Sequence, residues 1–154
     1  MSRLNLRAWL GARQVKYYVM TVMPTLRTVL IVDDDATLRS SLESVLKTVG
    51  YRVLSTGDPD TAYRLLTDES VTAVILDVRL PTMSGLALSL AISRRWPQLE
   101  GRIALMTGDA DAPDVRAWVR RNPCTLFRKP FTFRHVAAWL DSVVHAADHT
   151  ASAG

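Results

Sequence analysis

Residues at four places in this sequence could do chemistry together: three consecutive aspartates (Asp33, Asp34, Asp35), an isolated Asp77, a threonine at 107 and a lysine at 129, each place directly behind a short apolar run. Two carboxylates about 5 Å apart repel by roughly 3 kcal/mol at an effective dielectric of 20, so a cluster of acids calls for a cation. Mg²⁺ suits it, because it takes oxygen ligands, prefers octahedral geometry and keeps several waters. With Asp33, Asp34 and Asp77 ionised, a divalent ion and the Lys129 ammonium leave the site formally neutral. Thr107 adds a hydroxyl donor. Such a site is poised for a phosphoryl group, whose transfer needs positioning and charge neutralisation and can use an aspartate as nucleophile. Taken singly, an acid behind a strand is a helix cap or a solvated loop more often than a ligand, so the joint placement carries the reading.

The elements that must position these residues are legible as apolar runs at 28–32, 52–55, 73–76, 102–106 and 125–128, rich in Val, Ile and Leu and continuous enough for strands buried on both faces. Between them lie stretches with helical spacing. Residues 36–49 carry Leu38, Leu42, Val45, Leu46 and Val49 on one stripe, ended by Gly50. Asp58 is placed as an N-cap with Pro59 at the first helical position, ahead of Ala62, Leu65 and Leu66. A third helix over 85–96 stops at Pro97, a fourth over 111–121 has Pro113 in its first turn, and a fifth over 132–146 carries Val136, Leu140, Val143 and Val144. Strands alternating with helices predict an α/β, doubly wound parallel sheet, in which ligands bind beyond the carboxyl ends of the strands. All the candidate residues fall at that edge.

The chain has 154 residues, 48% hydrophobic and 22% charged, enough for one compact domain and too short for two. Its single cysteine, Cys124, cannot form an internal disulfide and no Cys/His cluster has zinc spacing, so a reducing, cytoplasmic setting is expected, with Cys124 as a packing residue. The net charge of +4 comes from Arg3, Arg7, Arg13 and Lys16, while residues 24–154 hold 15 basic and 15 acidic residues. A neutral domain gives no electrostatic footprint for nucleic acid, so direct nucleic-acid binding is not expected. Residues 1–23 hold neither a membrane span nor a secretory signal. They are read as an unstructured extension or an upstream start ahead of Met23, with an interfacial amphipathic helix as the alternative. Residues 24–146 form the domain and 147–154 a frayed tail.

Over about residues 27–146 the sequence resembles the response-regulator receiver family of two-component systems. Val-Leu-Ile-Val-Asp-Asp-Asp (29–35) is similar to the family's acidic segment, and Leu-Asp-Val-Arg-Leu-Pro-Thr-Met-Ser-Gly-Leu (76–86) to its phosphoacceptor loop. Met-Thr-Gly (106–108) and Arg-Lys-Pro-Phe (128–131) resemble its switch elements. The resemblance implies a flavodoxin-like sheet in the order 2-1-3-4-5 with five helices, and phosphorylation of Asp77 by a histidine kinase or phosphotransfer protein. It implies Mg²⁺ held directly by Asp34 and Asp77, through water by Asp33, and by the Arg79 carbonyl. Thr107 and Lys129 would bind phosphoryl oxygens, Asp35 would start a helix, and the Lys129–Pro130 bond would be cis. One position departs from the family pattern: Leu126 stands where an aromatic ring commonly reports the pocket's state. Phe127 points to the opposite side of the strand, so the switch is expected to rest on Thr107.

What the resemblance implies is a stand-alone signalling domain that assists only its own phosphorylation and dephosphorylation, not an enzyme with an external substrate. After the fifth helix about eight residues remain, too few for an output domain, so output is expected through contacts with a downstream protein target. Trp118 and Trp139 are read as packing at the core edge, with a partner or homodimer face as the alternative. Two other functions compete. A degenerate receiver used only for docking would lack part of the acceptor set, which is whole here. A small Mg²⁺-dependent phosphohydrolase would want a second aspartate two residues after Asp77, where Arg79 stands, and a cap domain.

Overall fold

The computed structural model describes residues 26–151, and the expectations for residues 1–23 and 152–154 lie outside the described residues. Five parallel strands, β1 (Thr28–Val32), β2 (Arg52–Thr56), β3 (Ala73–Asp77), β4 (Ile103–Thr107) and β5 (Thr125–Arg128), form one sheet in the order β2-β1-β3-β4-β5. Between and after them run α1 (Ala36–Thr48), α2 (Pro59–Asp68), α3 (Gly85–Arg95), α4 (Pro113–Arg121) and α5 (Phe133–Ala151), with a short 3₁₀ turn at Pro97–Leu99. This is the doubly wound, flavodoxin-like topology expected from the sequence.

Strand alternation divides the core into two layers. Leu30, Val32, Val74, Leu76 and Leu105 pack with α2, α3 and α4, while Val29, Ile31, Ile75 and Met106 pack with α1 and α5. Every residue of β1, β3 and β4 is buried. The expected two-sided burial fails at the rims, because β2 and β5 each pair with only one strand and stay mostly half-exposed.

The helix punctuation follows local chemistry. The Asp35 carboxylate accepts from the Thr37 and Leu38 N–H groups at 2.9 and 3.0 Å, and Asp58 accepts from Thr61 N–H at 2.8 Å. Gly50 takes φ of +96° just past the end of α1, the left-handed geometry a glycine adopts freely. Val49, expected on the apolar stripe, is the C-cap and 53% exposed, because its backbone has already left the helix. The fifth helix was expected to end at 146 but runs to Ala151, since Ala-Ala-Asp-His-Thr-Ala (146–151) contains neither Gly nor Pro to stop it. Among the described residues no helix is long and apolar enough to cross a membrane.

Only Val115 of α4 is buried, and its N-cap Ala112 offers no side-chain bond, so this helix is the least anchored of the five. Trp118 and Trp139 both pack, partly buried, against the margins of the two core layers.

Candidate functional site

Parallel pairing aligns the carboxyl ends of the strands, with Val32 opposite Leu76, Asp77 opposite Met106 and Thr107 opposite Arg128. The loops that leave these ends bring together the residues singled out in the sequence. Asp33 is fully buried and Asp77 nearly so, whereas Asp34 is exposed. One carboxylate oxygen from each of the three lies within 4.8 Å of the others.

Lys129 reaches into this cluster, its Nζ 2.8 Å from Asp33 Oδ2 and 3.5 Å from Asp77 Oδ1. The second Asp33 oxygen accepts from Asp35 N–H at 2.9 Å, so this buried charge is fully engaged. Lys129 is itself placed by its backbone N–H, which donates to the Thr107 carbonyl at 2.8 Å, and the Lys129–Pro130 peptide is cis, as expected. Thr107 is buried, and its Oγ1 accepts from Asp109 N–H at 3.1 Å, tying the hydroxyl to the β4–α4 loop.

Electrostatics in the cluster are opposed but not balanced. Burial, and then the neighbouring Asp33 charge, push the Asp77 carboxyl above the usual aspartate range, against the pull of Lys129 and of the Arg79 N–H. Burial by itself would lower the Lys129 ammonium, yet its hydrogen bond to Asp33 and the fields of Asp33 and Asp77 leave it above the usual lysine value. A group whose folded pKa is raised contributes stability fully below its unfolded value and loses it as pH climbs through the folded one. Asp77→Asn should therefore stabilise the metal-free domain at pH 7, with variant and parent converging as the pH falls below about 4. Urea titrations at the two pH values would show it, and a less stable variant at pH 7 would contradict it.

Three contributors were not singled out from the sequence. Gly85 lies against the end of β3: a Cβ there would stand 1.9 Å from the Asp77 carbonyl oxygen and 2.9 Å from Val78 Cα. Gly57, at the end of β2, would bring a Cβ to 2.9 Å from Arg39 Nη1. Arg39 donates to the Asp33 carbonyl at 2.6 Å and braces the acidic loop from α1. The glycine of the 76–86 loop was a visible signal for the first; nothing in the sequence pointed to the other two.

Around the cluster, two exposed ion pairs cross between loops. Arg79 binds Asp114 of α4 through both guanidinium nitrogens at 2.8 and 2.9 Å, and Arg128 binds Asp111 at 2.8 Å. Leu126 is half-buried on the α2–α4 side, beside a cavity of about 250 Å³ lined with Ala110, Arg116, Val119 and Arg120. Phe127 faces the other layer, its ring 5.8 Å from Phe131 and 6.1 Å from Trp139. Since Leu126 is only half-buried, Leu126→Ala should cost about 1–2 kcal/mol, less than a fully buried leucine, as a shift in the urea midpoint would register. Cys124 is half-buried and its thiol is pushed up by burial, which suits packing rather than reactivity.

A flavodoxin-like sheet with carboxylates, a hydroxyl and a lysine gathered at its carboxyl edge defines an α/β domain built around an acidic, lysine-bridged pocket. The chain belongs to the response regulator receiver domain family, which matches residues 29–141. It is 28% identical over 129 residues to the transcriptional regulatory protein FixJ of Bradyrhizobium diazoefficiens, covering 84% of this chain and 62% of that one. It is 27% identical over 119 residues to a probable chemotaxis protein CheY of Rhizobium etli, covering 77% and 92%. A CheY-like receiver domain from Methanospirillum hungatei shares the fold with a TM-score of 0.70 at 21% identity, covering 84% of this chain and all of that one. The match spans about half the length of several of its curated relatives, including the phosphate regulon regulator PhoB of Pseudomonas aeruginosa at 52%.

Proposed function

We propose that this receiver domain accepts a phosphoryl group on Asp77 from a histidine kinase or a phosphotransfer protein and signals by changed contacts with a downstream protein, in the cytoplasm. The observation that carries this is the contact of one half-buried lysine with two carboxylates, Asp33 at 2.8 Å and Asp77 at 3.5 Å, in a cluster that Asp34 completes. In the transfer, a carboxylate oxygen of Asp77 bonds to phosphorus as the bond from phosphorus to the donor imidazole breaks. Lys129 holds positive charge beside the incoming oxygens, and the Thr107 hydroxyl turns to donate to one of them.

The three carboxylates are hard oxygen donors close enough together to share one cation, which fits Mg²⁺. Asp34 and Asp77 would hold it directly, Asp33 through water and Arg79 through its carbonyl. When bound, it neutralises charge on the phosphoryl oxygens. Asp33 keeps its Lys129 bond in that arrangement, which agrees with an outer, water-mediated role.

Incubation with acetyl phosphate and Mg²⁺ should raise the protein's mass by one phosphoryl group, and Asp77→Asn should abolish the gain. A gain that survives in Asp77→Asn would place the acceptor elsewhere. No gain at all, from acetyl phosphate or from phosphohistidine donors, would favour a docking module that works without phosphorylation.

A further inference from the structure

The Arg79 side chain lies outside the roles given so far, which use only its backbone. Arg79 stands two residues after Asp77, so its side chain starts beside the acceptor. The guanidinium is docked on Asp114, in the first turn of α4. This is the helix with one buried residue and no side-chain N-cap, so the pair is a main tie between the acceptor loop and α4.

We propose that Arg79 is a phosphoryl-positioning residue held in reserve: docked on Asp114 at rest, it moves onto the phosphoryl oxygens of modified Asp77 and so releases the first turn of α4. The inference rests on Asp77 being the acceptor.

The exchange follows from the competing partners. Arg79 and Asp114 are 55% and 50% exposed, so water screens their attraction. Phosphorylation replaces one negative charge at Asp77 with about two and adds three acceptor oxygens. These project from a residue that is only 5% exposed, and they match the guanidinium fork. Arg79 already feels the Asp109 and Asp77 charges behind that of Asp114. An arginine shared between two sites couples them, so each partner's removal must affect the other. The device also serves a receiver whose residue 126 is leucine, because it links the pocket to α4 without a moving aromatic ring.

Beryllium fluoride with Mg²⁺, a phosphoryl stand-in, tests this when titrated by tryptophan fluorescence alongside amide hydrogen exchange. Asp114→Asn frees the arginine and should tighten beryllofluoride binding about threefold, whereas Arg79→Gln should weaken it by a similar factor. A merely structural ion pair would move both variants the same way. Exchange at residues 114–116 should rise several-fold when the parent binds beryllofluoride, and Asp114→Asn should already show the faster rate without it. Binding of Mg²⁺ alone should be unchanged, since the Arg79 carbonyl survives both substitutions. Same-direction affinity changes, or unaltered exchange in a parent that binds beryllofluoride, would overturn the latch and leave the acceptor intact. A parent that binds none, and gains no phosphoryl mass, would overturn the acceptor reading and the latch with it.

Discussion

Replacing Gly85 with alanine should cost the domain about 3 kcal/mol or more and lower its melting temperature by on the order of 10 °C. The atoms that the new methyl would meet are the Asp77 carbonyl oxygen and carbon and Val78 Cα, all backbone, so no side chain can swing aside. Relief must come from moving the end of β3 or the start of α3. The Gly85 N–H to Val78 carbonyl bond, now 2.8 Å, would be strained with either. Because Asp77 is the residue displaced, phosphoryl acceptance should fall even below the melting transition. A variant within about 1 kcal/mol of the parent would show that the loop yields more easily than this packing allows.

Lys129→Met should be as damaging for a different reason. It leaves Asp33, fully buried, without its counter-charge, and breaking a buried pair on one side costs about 3–5 kcal/mol. Lys129 also pulls the Asp77 carboxyl downward, so its loss should push that group further above its ordinary range. The deficit should therefore shrink on acidification toward pH 4, where protonated carboxyls are tolerated. Adding Asp33→Asn to Lys129→Met should recover much of the loss at pH 7. If the double variant is no more stable than the single, the lysine stabilises through packing of its stem rather than through charge.

How much could be seen beforehand depended on whether the cause was local. The strand cores, the Asp58–Pro59 helix start and the Gly50 stop follow from near neighbours in sequence, and each stands within a residue or two of its expected place. The acids at 33, 34 and 77 met in space because parallel pairing aligns the strand ends, a consequence of topology that alternation alone implies. What stayed hidden was set by partners far along the chain. The Arg79–Asp114 pair joins residues 35 positions apart, and no pattern in either segment announces it. Leu126 is only half-buried because β5 ends the sheet; the strand order implied by the resemblance put β5 there, but the continuous apolar run at 125–128 read as a strand buried on both faces. Gly57 was passed over since nothing about a glycine after an edge strand reveals an arginine on the helix before that strand.

The position of β5 has a consequence for the protein's behaviour in concentrated solution. With β4 on one side only, β5 leaves a row of backbone donors and acceptors facing outward, a template on which another chain's strand could assemble. The strand is four residues long, ends on Arg128 and runs directly into Lys129 and Pro130, so its end carries two cations and a residue with no N–H to donate. An approaching strand therefore meets charge and a missing hydrogen bond where its ladder would lengthen. The segment that carries the pocket's lysine thus also protects the open edge of the sheet from aggregation.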